Sequence, residues 1–265
     1  MKSKVGIITL IIILILLVVS LTTFLYMYLT DQFGFTSIIG SFGKGSHSQD
    51  IVFDKIYEED IKKINIISVA GDIDFKESTD ENIRVIVYGE DNENLEVEVK
   101  NENELIIDYS KEKRHYLGKI YIKDIIIYIP KKYSNQIDIE AKFGDINIID
   151  LENATISINE DCGDVSLGKV KNIKINNSYG DIKVDTILNK VEMENSCGNI
   201  KIVEVQIKEN SNIESSLGDI KIENTNDIYI DAKTDLGDLD INENNRHSDI
   251  ILKIKNSCGD IKINH

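Results

Sequence analysis

Gly180-Asp181-Ile182-Lys183-Val184 is one copy of a phrase that returns down the second half of the 265-residue chain. Before it stand Gly144-Asp145-Ile146-Asn147-Ile148 and Gly163-Asp164-Val165-Ser166-Leu167. After it come Gly198-Asn199-Ile200-Lys201-Ile202, Gly218-Asp219-Ile220-Lys221-Ile222, Gly237-Asp238-Leu239-Asp240-Ile241 and Gly259-Asp260-Ile261-Lys262-Ile263. The intervals between these glycines are 19, 17, 18, 20, 19 and 22 residues, and an isolated earlier copy is Gly71-Asp72-Ile73-Asp74-Phe75. A nearly constant period of this length marks a stacked repeat array. Within a unit the apolar spacing is two, as in Ile173-Lys174-Ile175, so each unit reads as short strands with one face inward. A unit cannot fold alone. About six inward side chains at ~1.5–3 kcal/mol each do not offset ~1–2 kcal/mol of backbone entropy per residue. Stacking supplies the missing burial, and the expected fold is all-β: a single-chain parallel β-solenoid of about 19-residue rungs.

The repeat corners are the candidate site. Gly supplies the sharp bend, and the following Asp or Asn offers a side-chain oxygen to turn N–H groups. Asp145, Asp164, Asp181, Asn199, Asp219, Asp238 and Asp260 should then form a ladder. Carboxylates ~4.8 Å apart repel by roughly 1 kcal/mol even in water. Relief could come from turn N–H groups, from bound cations, or from Lys183, Lys221 and Lys262, two residues past their Asp. The column before each Gly reads Phe143, Cys162, Tyr179, Cys197, Leu217, Leu236, Cys258 and is expected inward or half-buried. Counting rungs in sequence order puts Cys162 and Cys197 two apart and Cys258 three beyond Cys197. Two rungs span ~9.6 Å, too far for a disulfide, so the thiols should pack as small hydrophobes.

With Ile125-Ile126-Ile127-Tyr128-Ile129-Pro130 leading into them, the Gly-Asp-Ile-x-Ile rungs resemble the bacterial "putative adhesin" family of β-strand-repeat proteins over residues 60–265. The resemblance implies an extracytoplasmic β-solenoid, often behind one membrane helix and sometimes linked to envelope stress, in a family largely without assigned function. It supplies no catalytic residues.

Taken in order, residues 1–4 form a basic stub, and residues 5–30 carry no charge. That apolar run is long enough for a transmembrane signal-anchor helix, and Lys2 and Lys4 orient the N-terminus to the cytoplasm. Residues 31–50 read as a Gly/Ser-rich tether, residues 51–136 as an irregular N-terminal β half that caps the solenoid, and residues 137–265 as its regular repeats. Leu95 to Val99 and Leu105 to Tyr109 flank Asn101-Glu102-Asn103 and read as a hairpin. The last rung ends two residues before the C-terminus, which predicts a bare edge there, blunted by Lys262 and His265 or covered by another molecule.

The net charge is −16. Such a surface repels nucleic acid and anionic lipid and attracts cations and cationic peptides. The segment Lys111 to Lys119 is one basic loop on this acidic chain, a candidate contact for phosphate-rich wall polymers or lipid heads. His47, His115, His247 and His265 follow no repeat logic, and no P-loop or zinc-protease motif occurs. Asn-Ser-Cys-Gly at 195–198 and 256–259 mimics a nucleophile motif, yet Tyr179 and Leu217 fill the same column. The expectation is a non-enzymatic, membrane-anchored extracytoplasmic module, without cofactor or metal, binding an envelope polymer, a cationic peptide or a surface protein. The alternatives are a self-assembling surface polymer and a carbohydrate-active β-helix enzyme.

Overall fold

The computed structural model describes residues 50–89, 95–101, 103–110, 123–242 and 244–264. The expected stub and anchor, all but the last residue of the tether, the basic loop and His265 lie outside the described residues. Among the described residues every regular element is a strand, and no helix is long and apolar enough to cross a membrane. Nineteen strands join in one mixed sheet. The first seven are β1 (Asp50–Tyr57), β2 (Lys63–Ser68), β3 (Ile73–Glu77), β4 (Ile83–Gly89), β5 (Glu96–Lys100), β6 (Glu104–Asp108) and β7 (Asp124–Ile129). The repeats continue as β8 (Gln136–Phe143), β9 (Ile146–Ile148), β10 (Leu151–Cys162), β11 (Val165–Tyr179), β12 (Ile182–Cys197), β13 (Ile200–Val205) and β14 (Ser211–Leu217). The chain closes with β15 (Ile220–Thr225), β16 (Tyr229–Leu236), β17 (Leu239–Ile241), β18 (Ile251–Cys258) and β19 (Ile261–Ile263).

Copies of the repeat pair in parallel, each residue on its equivalent. Val165 opposes Ile182, then Ile200, Ile220 and Ile261 follow in register. Branched residues at every second position suit this pleated surface. Alternate residues enter one continuous core, as with Ile173, Ile175, Ile182 and Val184, each almost wholly buried.

Spatial order departs from sequence order at both ends. The rung β2–β3 lies between β6–β7 on one side and β8–β9 on the other. The isolated copy at Gly71 is therefore an internal rung. Beyond it the sheet changes direction, because β1 and β7 both pair antiparallel with β4, and β5 pairs antiparallel with β6. The β5–β6 turn is the expected hairpin, with Asn101 at φ 50°.

At the opposite end β18–β19 inserts between β14–β15 and β16–β17. The expected bare edge on the last rung is thus corrected: β16–β17 carries the edge. Charge and hydrophobicity give the reason. The inserted rung bears Lys253, Lys255 and Lys262, while its outer neighbour bears Asp231, Asp235, Asp238 and Asp240. Lys255 reaches Glu214 at 3.1 Å on one side, and Lys262 reaches Asp240 at 3.8 Å on the other. Leu252, Ile254, Ile261 and Ile263 fill the core, whereas Leu239 on the outer rung stays 47% exposed.

Candidate functional site

At every corner inside the array two lines of hydrogen bonds run along it. The Gly N–H donates to the carbonyl of the residue before the next Gly, as from Gly180 to Cys197 and from Gly198 to Leu217, both at 2.9 Å. The following Asp N–H donates the other way, to the side chain of the preceding rung. Asp72 N donates to Asp124 Oδ1 at 3.0 Å, Asp145 N to Asp72 at 2.9 Å, and Asp164 N to Asp145 at 2.9 Å. Asp181 N donates to Asp164 at 2.7 Å, Asn199 N to Asp181 at 2.8 Å, and Asp219 N to Asn199 Oδ1 at 2.9 Å. Asp260 N donates to Asp219 and Asp238 N to Asp260, both at 2.8 Å. Every predicted Asp and Asn of the corners joins this ladder, and Asp72 and Asp124 extend it.

The ladder shows one of the three reliefs in place among the described residues. Backbone amides, not lysines, face the carboxylates. Lys221 and Lys201 instead share Glu223, each at 3.1 Å, and Lys262 reaches Asp240. An N–H donor on a carboxylate offsets repulsion from the next one, as a charge-assisted bond roughly twice as strong as a neutral one. Asn199 shows that an amide oxygen serves equally well as acceptor. Partial desolvation raises the Asp72 and Asp124 carboxyls above the usual range, against the lowering effect of the amide each accepts.

Gly198 illustrates why the corner admits no side chain. Its φ is +133°, a left-handed conformation that suits glycine, and a Cβ there would lie 2.0 Å from the Gly180 carbonyl oxygen. Gly163 alone among the repeat glycines lies outside that left-handed region, although its added Cβ would also strike the rung below.

The column before each Gly is corrected at Tyr179, Leu217, Leu236 and Cys258, while Phe143, Cys162 and Cys197 are half-buried as expected. It was expected inward or half-buried, yet Tyr179 is 63%, Leu217 52% and Leu236 70% exposed. Cys258 is exposed too, while Cys162 and Cys197 are half-buried; all three thiols are free. Alternation from Asn177 would send Tyr179 inward, but the corner bend breaks the parity and turns the column out. Spatial order places Phe143, Cys162, Tyr179, Cys197, Leu217, Cys258 and Leu236 side by side. Cys258 is therefore two rungs from Cys197, not three, and large side chains alternate with thiols. Burial and the acidic surroundings push the Cys162 thiol up.

Three residues before the Gly runs a second, inward column that the repeat phrase did not expose. Its order is Ser68, Ala141, Glu160, Asn177, Asn195, Ser215, Asn256, Thr234. Asn177 donates from Nδ2 to the Gly163 and Gly180 carbonyls at 3.3 Å, and Asn195 to those of Gly180 and Gly198 at 3.1 Å. The signal was present in the sequence, since Ile156-x-Ile158-x-Glu160 continues the inward alternation.

Two solved structures are similar to this chain. A "putative cell adhesion protein" from Clostridium sporogenes ATCC 15579 is 16% identical with TM-score 0.40, covering 81% of this chain and 99% of that one. A "putative adhesin" from Bacteroides fragilis NCTC 9343 is 18% identical with TM-score 0.43, covering 82% of this chain and 98% of that one. No curated protein matches the chain. The model of the family described as Toastrack DUF4097 matches residues 61–265, which takes in the early rung and every later repeat. The chain belongs to the Toastrack DUF4097 family.

Proposed function

We propose that this chain is a membrane-anchored extracytoplasmic β-solenoid, an adhesin-like surface rod that binds cationic partners and performs no catalysis. One observation carries the reading: the corner ladder bonds its carboxylates to backbone amides while most of them remain exposed along one edge of the array. The exposed Tyr179, Leu217 and Leu236 run beside that edge and add apolar contact area. Anchoring rests on the uncharged run 5–30, and the rod would project from the outer surface on residues 31–50. A cationic peptide or surface protein could engage carboxylates on several rungs at once.

The test exploits Asn199, which already replaces Asp in the ladder. In the full chain held in lipid nanodiscs, Asp145→Asn, Asp164→Asn and Asp181→Asn together should preserve the fold. Binding of an oligolysine peptide should weaken, with a shallower dependence on salt. Unchanged binding contradicts the reading. A second reading, end-to-end assembly, draws on the bare edge of β16–β17 and its exposed Leu236 and Leu239. Filaments in negative-stain images of the full chain would favour it.

A further inference from the structure

Glu160 is the only acid in the inward column that holds Asn177, Asn195 and Asn256. It is 3% exposed, and neither carboxyl oxygen has a hydrogen-bond partner. Across it lie Ala141 on β8 and Asn177 on β11. Its Oε1 points into the Gly163 corner: a Cβ built on Gly163 would lie 2.3 Å from that oxygen and 2.0 Å from the Gly144 carbonyl oxygen. Where Asn177 and Asn195 donate to the glycine carbonyls of two rungs, an ionised Glu160 brings a further acceptor among acceptors. The Asn177 Oδ1 beside it is likewise buried without a donor. Every charged group that raises its carboxyl is acidic: Asp145 and Asp72 from the ladder below, Asp164 from its own Gly163 corner, and Asp161 from its own strand. An ionised buried carboxylate in such surroundings is strongly disfavoured.

We propose that Glu160 is a proton-binding site, held as the neutral acid so that its O–H donates to a glycine carbonyl as the neighbouring amides do, and that its ionisation opens the Gly163 corner. Gly163 is the repeat glycine whose backbone departs from the shared left-handed conformation, so the corner that differs in backbone is the one that differs in side chain. Burial first, then the four Asp carboxylates, pushes the Glu160 carboxyl up to about 8. The open corner exposes Glu160 with an ordinary carboxyl near 4.5. Between those values the closed corner binds the extra proton, so closure is favoured in acid and weakens as pH rises.

The test is hydrogen exchange of the full chain from pH 5 to pH 9, corrected for intrinsic exchange and read at β10 and the Gly163 corner. The opening equilibrium should rise by up to about tenfold per pH unit between pH 5 and 8 and then level off. Glu160→Gln, whose amide is a donor at every pH, should remove the rise. An equal rise in both proteins overturns the proposal. So does a wild-type rise abolished by millimolar calcium, since a metal ion would then be the neutralising group. Should Glu160→Gln fail to fold, carboxyl carbon shifts of glutamate-labelled wild-type protein decide. One carboxyl titrating near pH 8 supports the assignment, and titration of all of them below pH 6 overturns it.

Discussion

The two ends of the array are built differently. At one, β1, β4, β5 and β7 bring in antiparallel pairing beyond the rung of Gly71. At the other, the parallel pattern simply stops at β16–β17, with Leu236 and Leu239 exposed. Both ends share one device: a rung distant in sequence is wedged inside the outermost one. At the β16–β17 end the better-filled rung goes to the interior, and the rung richer in Asp is left outside. Stability should therefore be graded from the interior to the β16–β17 end rather than from one terminus to the other.

The sharpest break of that comparison is Gly198→Ala against Gly237→Ala. In both, a Cβ would meet a neighbouring carbonyl oxygen, at 2.0 Å and 2.1 Å, on a positive-φ backbone. The interior change should cost about 3–5 kcal/mol, while local opening of the end rung should limit the other to about 1–2 kcal/mol. Urea midpoints measure both. Equal losses would mean that the end rung is no weaker than the middle.

Next in size is the core. Ile254→Ala on the inserted rung should cost about 2–5 kcal/mol, since the side chain is fully buried. Leu239→Ala on the outer rung should stay within about 0.5 kcal/mol. Smaller still is the charge contrast. Lys255→Gln should cost about 0–1 kcal/mol, an effect that fades in high salt because Glu214 and Lys255 are both partly exposed. Last comes Asp124→Asn near the end with antiparallel pairing. Its amide oxygen can still accept the Asp72 N–H, and the desolvated charge is gone. The wild-type carboxyl, raised in the fold, disfavours folding progressively as pH climbs through its shifted range. The substitution should therefore raise the melting midpoint at pH 7 and leave it unchanged at pH 3.

Much of this was legible from residues. The glycine period fixed the rungs, the alternation fixed the inward face, and the Gly-Asp phrase located the ladder to the residue. Spatial order was not legible at the ends, because period says which segments are equivalent and not which ones touch. Hints existed: the lysines of 251–263 and the aspartates of 229–241 are complementary, and the 22-residue interval there is the longest. The outward turn of Tyr179 and Leu217 was hidden because period-two parity fails across a bend. Glu160 was hidden because its column runs three residues upstream of the Gly-Asp phrase. The function was less legible still, since a ladder bonded to its own backbone resembles a binding surface whether or not a partner exists.

The most direct test of the stacking itself is disulfide trapping in a background with Cys162, Cys197 and Cys258 replaced by Ser. Glu214 and Lys255 are register partners, whereas Lys233 lies one rung further out. Adjacent rungs at ~4.8 Å fall within disulfide reach and alternate rungs at ~9.6 Å do not. The Glu214→Cys/Lys255→Cys protein should oxidise to an intramolecular disulfide, and the Glu214→Cys/Lys233→Cys protein should not. The reverse outcome would mean that the rungs stack in sequence order and that the inserted C-terminal rung is wrong.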